Sequence, residues 1–285
     1  MKIMKLKNIL FISLLFLFTT IFYSCDRINE NDYLIPVGES EWKGQRVLIE
    51  DFTGMDCPNC PAAATIAENL QGLFPGRVIV LANHVNRANA GNLCSPDSMT
   101  SSVGDEYFST FFTGPMSLPM GMVNRINFSS NKLLDRSKWS DEVIKQMDQI
   151  PVFSLELTAL YNSNNRLLTI NTQTIPLSDL QGEYSMTVLI TQNDIIAPQK
   201  DKTGIIKQYI HKHVLRASVT PASGSQLMSG AVEKNVTITK QYTFSVPAKW
   251  DKGGFVDMNN CSVIAFISNP ATSEILQVAE SKVIL

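Results

Sequence analysis

Basic clusters are the first feature that this sequence lacks. Lysine and arginine number 24 against 26 acidic residues, the formal net charge is −2, and no basic run occurs beyond residue 25. Binding to nucleic acid depends on Lys and Arg side chains that neutralise phosphates, and attraction to anionic lipid depends on similar patches. The composition therefore argues against a nucleic-acid partner and against electrostatic binding to a membrane surface.

A long hydrophobic run is also missing. The longest apolar segment covers residues 9–22, about 14 residues, whereas a helix needs about 20 residues to span a bilayer. No internal repeat or low-complexity tract is visible. Because 44% of the residues are hydrophobic and only 18% are charged, the chain can bury a core, and its composition is not that of a disordered protein.

The amino-terminal segment has the features of an export signal. Three lysines among the first seven residues precede the apolar run, which ends at Ser24 and Cys25 and is followed at once by polar residues. A short apolar run behind a basic segment is typical of a signal peptide. The small residue before Cys25 resembles a bacterial lipoprotein signal over residues 1–24, in which Cys25 is acylated. An ordinary cleaved signal or an uncleaved anchor is the alternative.

Export leaves four other cysteines to be explained, because thiols outside the cytoplasm tend to oxidise. Cys57, Cys60, Cys94 and Cys261 must each be paired, catalytic or buried. A disulfide between Cys94 and Cys261 is one option, although sequence alone does not give the connectivity.

Hydrophobic patterning divides the rest of the chain into three parts. Residues 25–44 have scattered polar residues and no periodic apolar face, which is typical of a tether. Residues 45–150 alternate strands and helices, which predicts an α/β layered domain. The predicted strands there are 47–52, 78–85 and 120–125, and the predicted helices are 57–74, 105–112 and 137–150. Residues 151–285 contain about seven strand-like runs, among them 211–219, and predict a β-sandwich.

Cys57 and Cys60 have the clearest chemical meaning, because they lie between a predicted buried strand and a predicted helix. The positive end of a helix dipole stabilises a thiolate, so Cys57 is the expected exposed nucleophile and Cys60 the expected resolving cysteine. A structural disulfide or half of a zinc site would have the same spacing. A zinc site would need two more ligands. The candidates are His84, Cys94, His211, His213 and Cys261.

The residues around this pair resemble the thioredoxin superfamily. The stretch VLIEDFTGMDC, residues 47–57, matches the first active-site strand and turn of that superfamily. The resemblance implies that Asp51 is a buried acid that accepts a proton from Cys60. It also implies that Pro119 follows a cis peptide bond and faces the disulfide. Glu50, one residue earlier, is the competing acid.

A closer resemblance covers nearly the whole chain after the signal. The segments that carry it are VLIEDFTG (47–54), CPNCPAA (57–63), LPMGMVNR (118–125) and HKHVLR (211–216). They are similar to the outer membrane protein 28 family, which consists of lipoproteins of Gram-negative envelopes. This resemblance implies an α/β thioredoxin-like domain over residues 45–150, followed by an all-β immunoglobulin-like sandwich over residues 151–285. It also implies a lipid-anchored location in the cell envelope, at the outer membrane.

We therefore expect an envelope lipoprotein that carries out thiol–disulfide exchange on exported proteins. Cys57 would attack, Cys60 would resolve the mixed disulfide, Asp51 would move protons, and the backbone beside Pro119 would hold a client strand. The alternative is a non-catalytic cell-surface binding or adhesion protein that uses the fold as a scaffold. Neither function calls for a cofactor or a metal, and the expected partners are exported client proteins or surface proteins.

The lipoprotein signal gives the first testable prediction. Metabolic labelling with a palmitate analogue should tag the protein, because an acylated Cys25 carries the fatty acid. The variant Cys25→Ala should lose the tag, whereas Cys57→Ala should keep it. Label that persists in Cys25→Ala would contradict the lipoprotein interpretation.

Overall fold

The computed structural model describes residues 44–85, 99–112, 117–127 and 131–285. The predicted signal peptide, Cys25, the tether up to residue 43 and Cys94 lie outside these ranges. The helices are α1 (Cys60–Leu73), α2 (Ser102–Phe111) and α3 (Trp139–Met147), and none of them is long and apolar enough to cross a membrane. The strands are β1 (Val47–Thr53), β2 (Val78–His84), β3 (Met120–Val123), β4 (Phe153–Asn162), β5 (Leu167–Pro176), β6 (Leu180–Gln192), β7 (Ile195–Lys200), β8 (Ile205–His211), β9 (Val214–Ser218), β10 (Ser225–Val232), β11 (Ile238–Ser245), β12 (Cys261–Ser268) and β13 (Ile275–Ile284).

The amino-terminal part of the sheet is built on β1. This strand pairs in parallel with β2, from Val47 opposite Val78 to Thr53 opposite His84, and it pairs in antiparallel fashion with β3. Every residue of β1 is buried, as expected for a strand that is covered on both faces. Apolar side chains of α1 and α3 pack against one face, and α2 contributes to the core on the other.

Gly121 in β3 allows a helix to approach the sheet closely. A Cβ atom at this position would lie 2.4 Å from Cζ2 of Trp139 and 2.8 Å from the carbonyl oxygen of Glu50. The Trp139 ring is completely buried, and its indole N–H donates to the Leu134 oxygen at 3.2 Å. A close-packed interior has no room for a further methyl group here, so the position requires glycine.

One mixed sheet runs through the described molecule. Its strand order is β11-β5-β4-β13-β12-β6-β9-β2-β1-β3, and β10 pairs with β6 beside this path, so that the sheet has eleven strands. Burial alternates from residue to residue along β5, as expected for a strand that faces the core on one side only. The remaining two strands, β7 and β8, form a separate antiparallel hairpin.

The predicted fold class, an α/β thioredoxin-like domain followed by a separate immunoglobulin-like sandwich, is wrong. The structure is mostly β, and its strands belong to one large mixed sheet. The join is the parallel contact of β2 with β9, where Ala82 pairs with Val214 and the Ala82 N–H donates to the His213 oxygen at 2.8 Å. The alternation of helices and strands in the sequence did not reveal which strand would occupy the outer edge of β2. The predicted segment boundaries at residues 24, 44 and 150 stay predictions.

A shared core accompanies the shared sheet. One buried cluster combines Leu48, Phe52 and Leu81 from the first strands with apolar residues of β6, β9, β12 and β13. Within the same region Arg125 makes two hydrogen bonds of 2.7 Å to the carboxylate of Glu50, and both side chains are at most 5% exposed. The Arg125 guanidinium also lies 4.9 Å from the centre of the Phe266 ring of β12. The ion pair is therefore enclosed by residues from both halves of the chain.

Removal of one charge from this pair should destabilise the whole sheet. Glu50→Gln leaves Arg125 buried without its counter-ion, and the expected loss in unfolding free energy is about 3–5 kcal/mol. The double variant Glu50→Gln/Arg125→Met should recover part of this loss. Lys252→Met, which removes a half-exposed ion pair with Asp105, should cost less than about 1 kcal/mol. Urea unfolding measures all three values, and equal losses for Glu50→Gln and Lys252→Met would contradict the prediction.

Candidate functional site

The disulfide Cys57–Cys60 lies in the turn between β1 and α1, with an S–S distance of 2.11 Å. The Cys57 N–H donates to the Gly54 oxygen at 3.1 Å, and α1 begins at Cys60 with Pro61 in its first turn. The predicted helix start at Cys57 was therefore three residues too early, because Pro61 rather than Pro58 occupies the first turn. Cys57 and Cys60 are only 3% and 1% exposed, so the expected exposed nucleophile is covered in this structure.

Pro119 lies directly before β3, and the Leu118–Pro119 peptide bond is cis, as predicted. The next residue, Met120, pairs with Phe52 near the end of β1. This register places Pro119 at the same end of β1 as the turn that carries the disulfide.

Asp51 is buried on the face of β1 that α1 covers, with 2% of its surface exposed. Burial raises the pKa of its carboxyl group to about 8, and the charge of Arg136 offsets only part of this effect. Its Oδ1 atom has no hydrogen-bond partner in the described structure. The competing acid Glu50 points to the opposite face of β1, where Arg125 binds it. Asp51 is therefore the acid on the disulfide side of the strand.

Asp51 and Cys60 line the same small cavity of about 30 Å³. The volume suffices for one or two water molecules. Its walls come from β1, α1, β2, the β7–β8 hairpin and the segment that leads into β9. The lining residues are Asp51, Thr53, Cys60, Pro61, Ala64, Glu68, Val80, Ala82, His84, Gln199, Tyr209, His211, Lys212 and His213.

All three histidines of the chain line this cavity. The sequence offered them only as candidate ligands of the alternative zinc site. The ring centres of His84 and His211 are 5.2 Å apart. Burial lowers the pKa of His211 and His213 to about 4 and that of His84 well below its usual value, so the three rings are neutral at pH 7. His211 Nε2 and His213 Nδ1, like Asp51 Oδ1, have no hydrogen-bond partner in the described structure. Only the β2–β9 pairing brings these side chains together, and the local sequence carries no signal of it.

The other predicted residues lie elsewhere. Cys261 is a buried free thiol that donates to the Asp257 oxygen at 3.2 Å, and burial raises its pKa to about 12. It belongs to the core between the carboxyl-terminal strands. Cys94, the partner that the sequence offered for it, falls outside the described residues. Within the described ranges, no group of three or more His, Cys, Asp or Glu side chains is arranged to hold a metal ion.

The chain belongs to the family described as outer membrane protein Omp28, whose family model matches residues 109–284. This membership confirms the predicted localisation: the protein belongs to the cell envelope, at the outer membrane. The match includes Pro119, His211 and His213 but begins after Asp51 and the disulfide, so it does not bear on their chemistry. None of the curated proteins compared matches the chain.

Of three similar solved structures, only the first has a TM-score high enough to support the fold, and it supports the fold alone. HBP35 of Porphyromonas gingivalis is 17% identical, with a TM-score of 0.66 over 84% of this chain and 76% of that one. Protein AGR_C_4864 from Agrobacterium tumefaciens is 14% identical, with a TM-score of 0.49 over 84% of this chain and 94% of that one. A domain of the outer membrane lipoprotein Omp28 from Porphyromonas gingivalis is 17% identical, with a TM-score of 0.33 over 47% of this chain and 90% of that one.

The raised pKa of Asp51 predicts a pH-dependent stability. A carboxyl group with a folded pKa of about 8 and an ordinary value of 3.8 stabilises the fold fully below pH 3.8, and this contribution is lost as the pH rises through 8. The unfolding free energy of Asp51→Asn minus that of the parent protein should therefore be larger at pH 8 than at pH 5, by more than about 1 kcal/mol. Urea unfolding of both oxidised proteins at the two pH values tests this.

The histidines do not disturb that comparison, because they titrate in both proteins. Their lowered pKa values contribute stability above pH 6.5 that is lost as the pH falls towards 4. A stability difference between Asp51→Asn and the parent that is the same at pH 5 and pH 8 would show that Asp51 is ionised in the folded protein.

Proposed function

We propose that the protein carries out thiol–disulfide exchange on exported proteins in the cell envelope. The observation that carries the proposal is that Cys60 and Asp51 line the same cavity. A disulfide sulfur and a carboxyl group that is protonated at neutral pH thus share one enclosed space. A buried carboxyl group with a raised pKa is well suited to general acid–base catalysis.

The exchange begins when a client thiolate attacks the Sγ atom of Cys57. A bond forms between the client sulfur and Cys57, the Cys57–Cys60 bond breaks, and Cys60 leaves as a thiolate that takes the proton of Asp51. A second client thiolate then attacks the first client sulfur and releases Cys57 as a thiolate. The client dithiol is thereby oxidised to a disulfide and the Cys57–Cys60 disulfide is reduced. The two protons that the client thiols gave up to water return to the Cys57 thiolate and the Asp51 carboxylate, so that both cysteines end as sulfhydryl groups. Each step is reversible, and the relative reduction potentials decide the direction.

A non-catalytic binding protein is the second candidate. The low exposure of Cys57 and Cys60 favours it, because a structural disulfide is normally protected from thiols. The reduction potential separates the two functions: a working oxidoreductase falls between roughly −120 and −270 mV, and a structural disulfide of an exported protein falls below about −300 mV.

Cysteine variants test the proposed exchange directly. Cys60→Ser should accumulate mixed disulfides between Cys57 and client proteins that carry a disulfide, because in the reverse direction of the exchange Cys60 is the sulfur that resolves them. Cys57→Ser should abolish turnover in an insulin-reduction or scrambled-ribonuclease assay. Cys261→Ser is the matched control, since that thiol is buried away from the site, and it should keep full activity. Equal activity of Cys57→Ser and the parent protein would overturn the proposal.

A further inference from the structure

The β7–β8 hairpin covers the turn that carries the disulfide. The Lys200 N–H at the end of β7 donates to the Met55 oxygen at 2.7 Å. The carboxamide of Gln199 donates to the carbonyl oxygens of Gly54 at 3.1 Å and Cys57 at 3.2 Å. Gln199 itself is 3% exposed. One buried side chain of the hairpin thus binds the turn on both sides of Met55.

The hairpin is attached through these contacts and not through strand pairing. Its ladder runs between β7 and β8 alone, and in the described residues neither strand pairs with the large sheet. Two of its residues, Ile195 and Ala197, complete a small apolar cluster with Met55, Met99 and Val214. Because no ladder bond of the large sheet would break, the hairpin can separate from the turn as a unit.

The two faces of the hairpin also differ in a way that favours movement. On the outside, Ile196 and Ile205 are each 67% exposed, so the described chain does not pack over that face. On the inside, Asp51 Oδ1, His211 Nε2 and His213 Nδ1 are buried without hydrogen-bond partners. In the closed state at most one or two water molecules in the cavity can hydrate these three atoms, whereas opening exposes all of them to bulk water. Opening therefore offsets part of the loss of the hairpin's contacts.

We propose that the β7–β8 hairpin is a lid over the Cys57–Cys60 disulfide, held closed by Gln199, and that a thiol reaches the disulfide only while the lid is open. The lid gives the proposed exchange function a means of regulation, and in that sense it rests on that function. Its own defining property is access to the disulfide, which a chemical reductant measures without any client protein.

The first experiment measures how urea changes the rate of reduction of the oxidised parent protein. A water-soluble phosphine attacks one sulfur, the S–S bond breaks, and water converts the phosphine to its oxide while both sulfurs become thiols. Alkylation and peptide mass analysis then count reduced Cys57 and Cys60. A lid predicts a rate well below that of a short peptide with the same disulfide, and a shallow dependence on urea below the unfolding transition.

The second experiment removes the hydrogen bonds by which Gln199 holds the lid closed. Gln199→Leu keeps a similar side-chain volume but loses the N–H donors to Gly54 and Cys57, and the reduction rate should rise about 10-fold or more. The matched control is Gln241→Leu on β11, which loses an exposed hydrogen bond of 2.9 Å from its side-chain N–H to Asn171 Oδ1 and should leave the reduction rate unchanged. The urea midpoint of each variant shows whether the rate follows local opening or global stability.

Three results would overturn the lid. The first is a reduction rate equal to that of the peptide. The second is a reduction rate that depends on urea as steeply as global unfolding does. The third is an increase in the reduction rate of Gln199→Leu that is no larger than the increase in its unfolding constant. A failed exchange function gives a different pattern: the phosphine results hold, but Cys60→Ser traps no client. The parent protein alone supplies the urea test if Gln199→Leu does not fold.

Discussion

A single short parallel contact, that of β2 with β9, determines how the rest of the molecule is assembled. The Ala82 N–H group donates to the His213 oxygen at 2.8 Å, and Ala82 pairs with Val214. Because β9 is also paired with β6, this contact joins two sets of strands into one sheet, and apolar side chains from both sets share one of the buried clusters. It also determines where the chain just before β9 must lie, which is over the disulfide turn.

The two neighbouring acids of β1 show how alternation along a strand gives them opposite environments. Glu50 faces the core that both halves share and is held by two hydrogen bonds from Arg125. Asp51 faces α1 and the cavity, where burial, only partly offset by the charge of Arg136, raises its pKa to about 8 and keeps it protonated at neutral pH. The same burial keeps the histidines of the cavity neutral. Asp51 and the three histidines are therefore neutral at pH 7, and the two charged residues of the lining, Glu68 and Lys212, form an ion pair of 2.7 Å with each other.

The parts of the site that were predictable are those encoded by neighbouring residues. The strands at 47–52 and 78–85 agree with β1 and β2 within one residue, because continuous apolar runs indicate buried strands. The predicted strand 211–219 is broken instead: β8 ends at His211, β9 begins at Val214, and His213 has a φ of 56°. This break redirects the chain from the hairpin into the large sheet. Pairings such as β2 with β9 join residues more than 130 positions apart, and no short-range pattern encodes them.

The position of β13 has a consequence for how an exported chain acquires its structure. This strand, Ile275–Ile284, lies between β4 and β12 in the interior of the sheet. The sheet thus remains divided into two unjoined parts until a segment very late in the sequence is available. A chain that crosses a membrane from its amino terminus therefore cannot complete this sheet during translocation, and it stays unfolded enough to pass through a translocation pore. Maturation of the fold is then an event of the compartment of arrival, where the thiols first meet oxidising conditions.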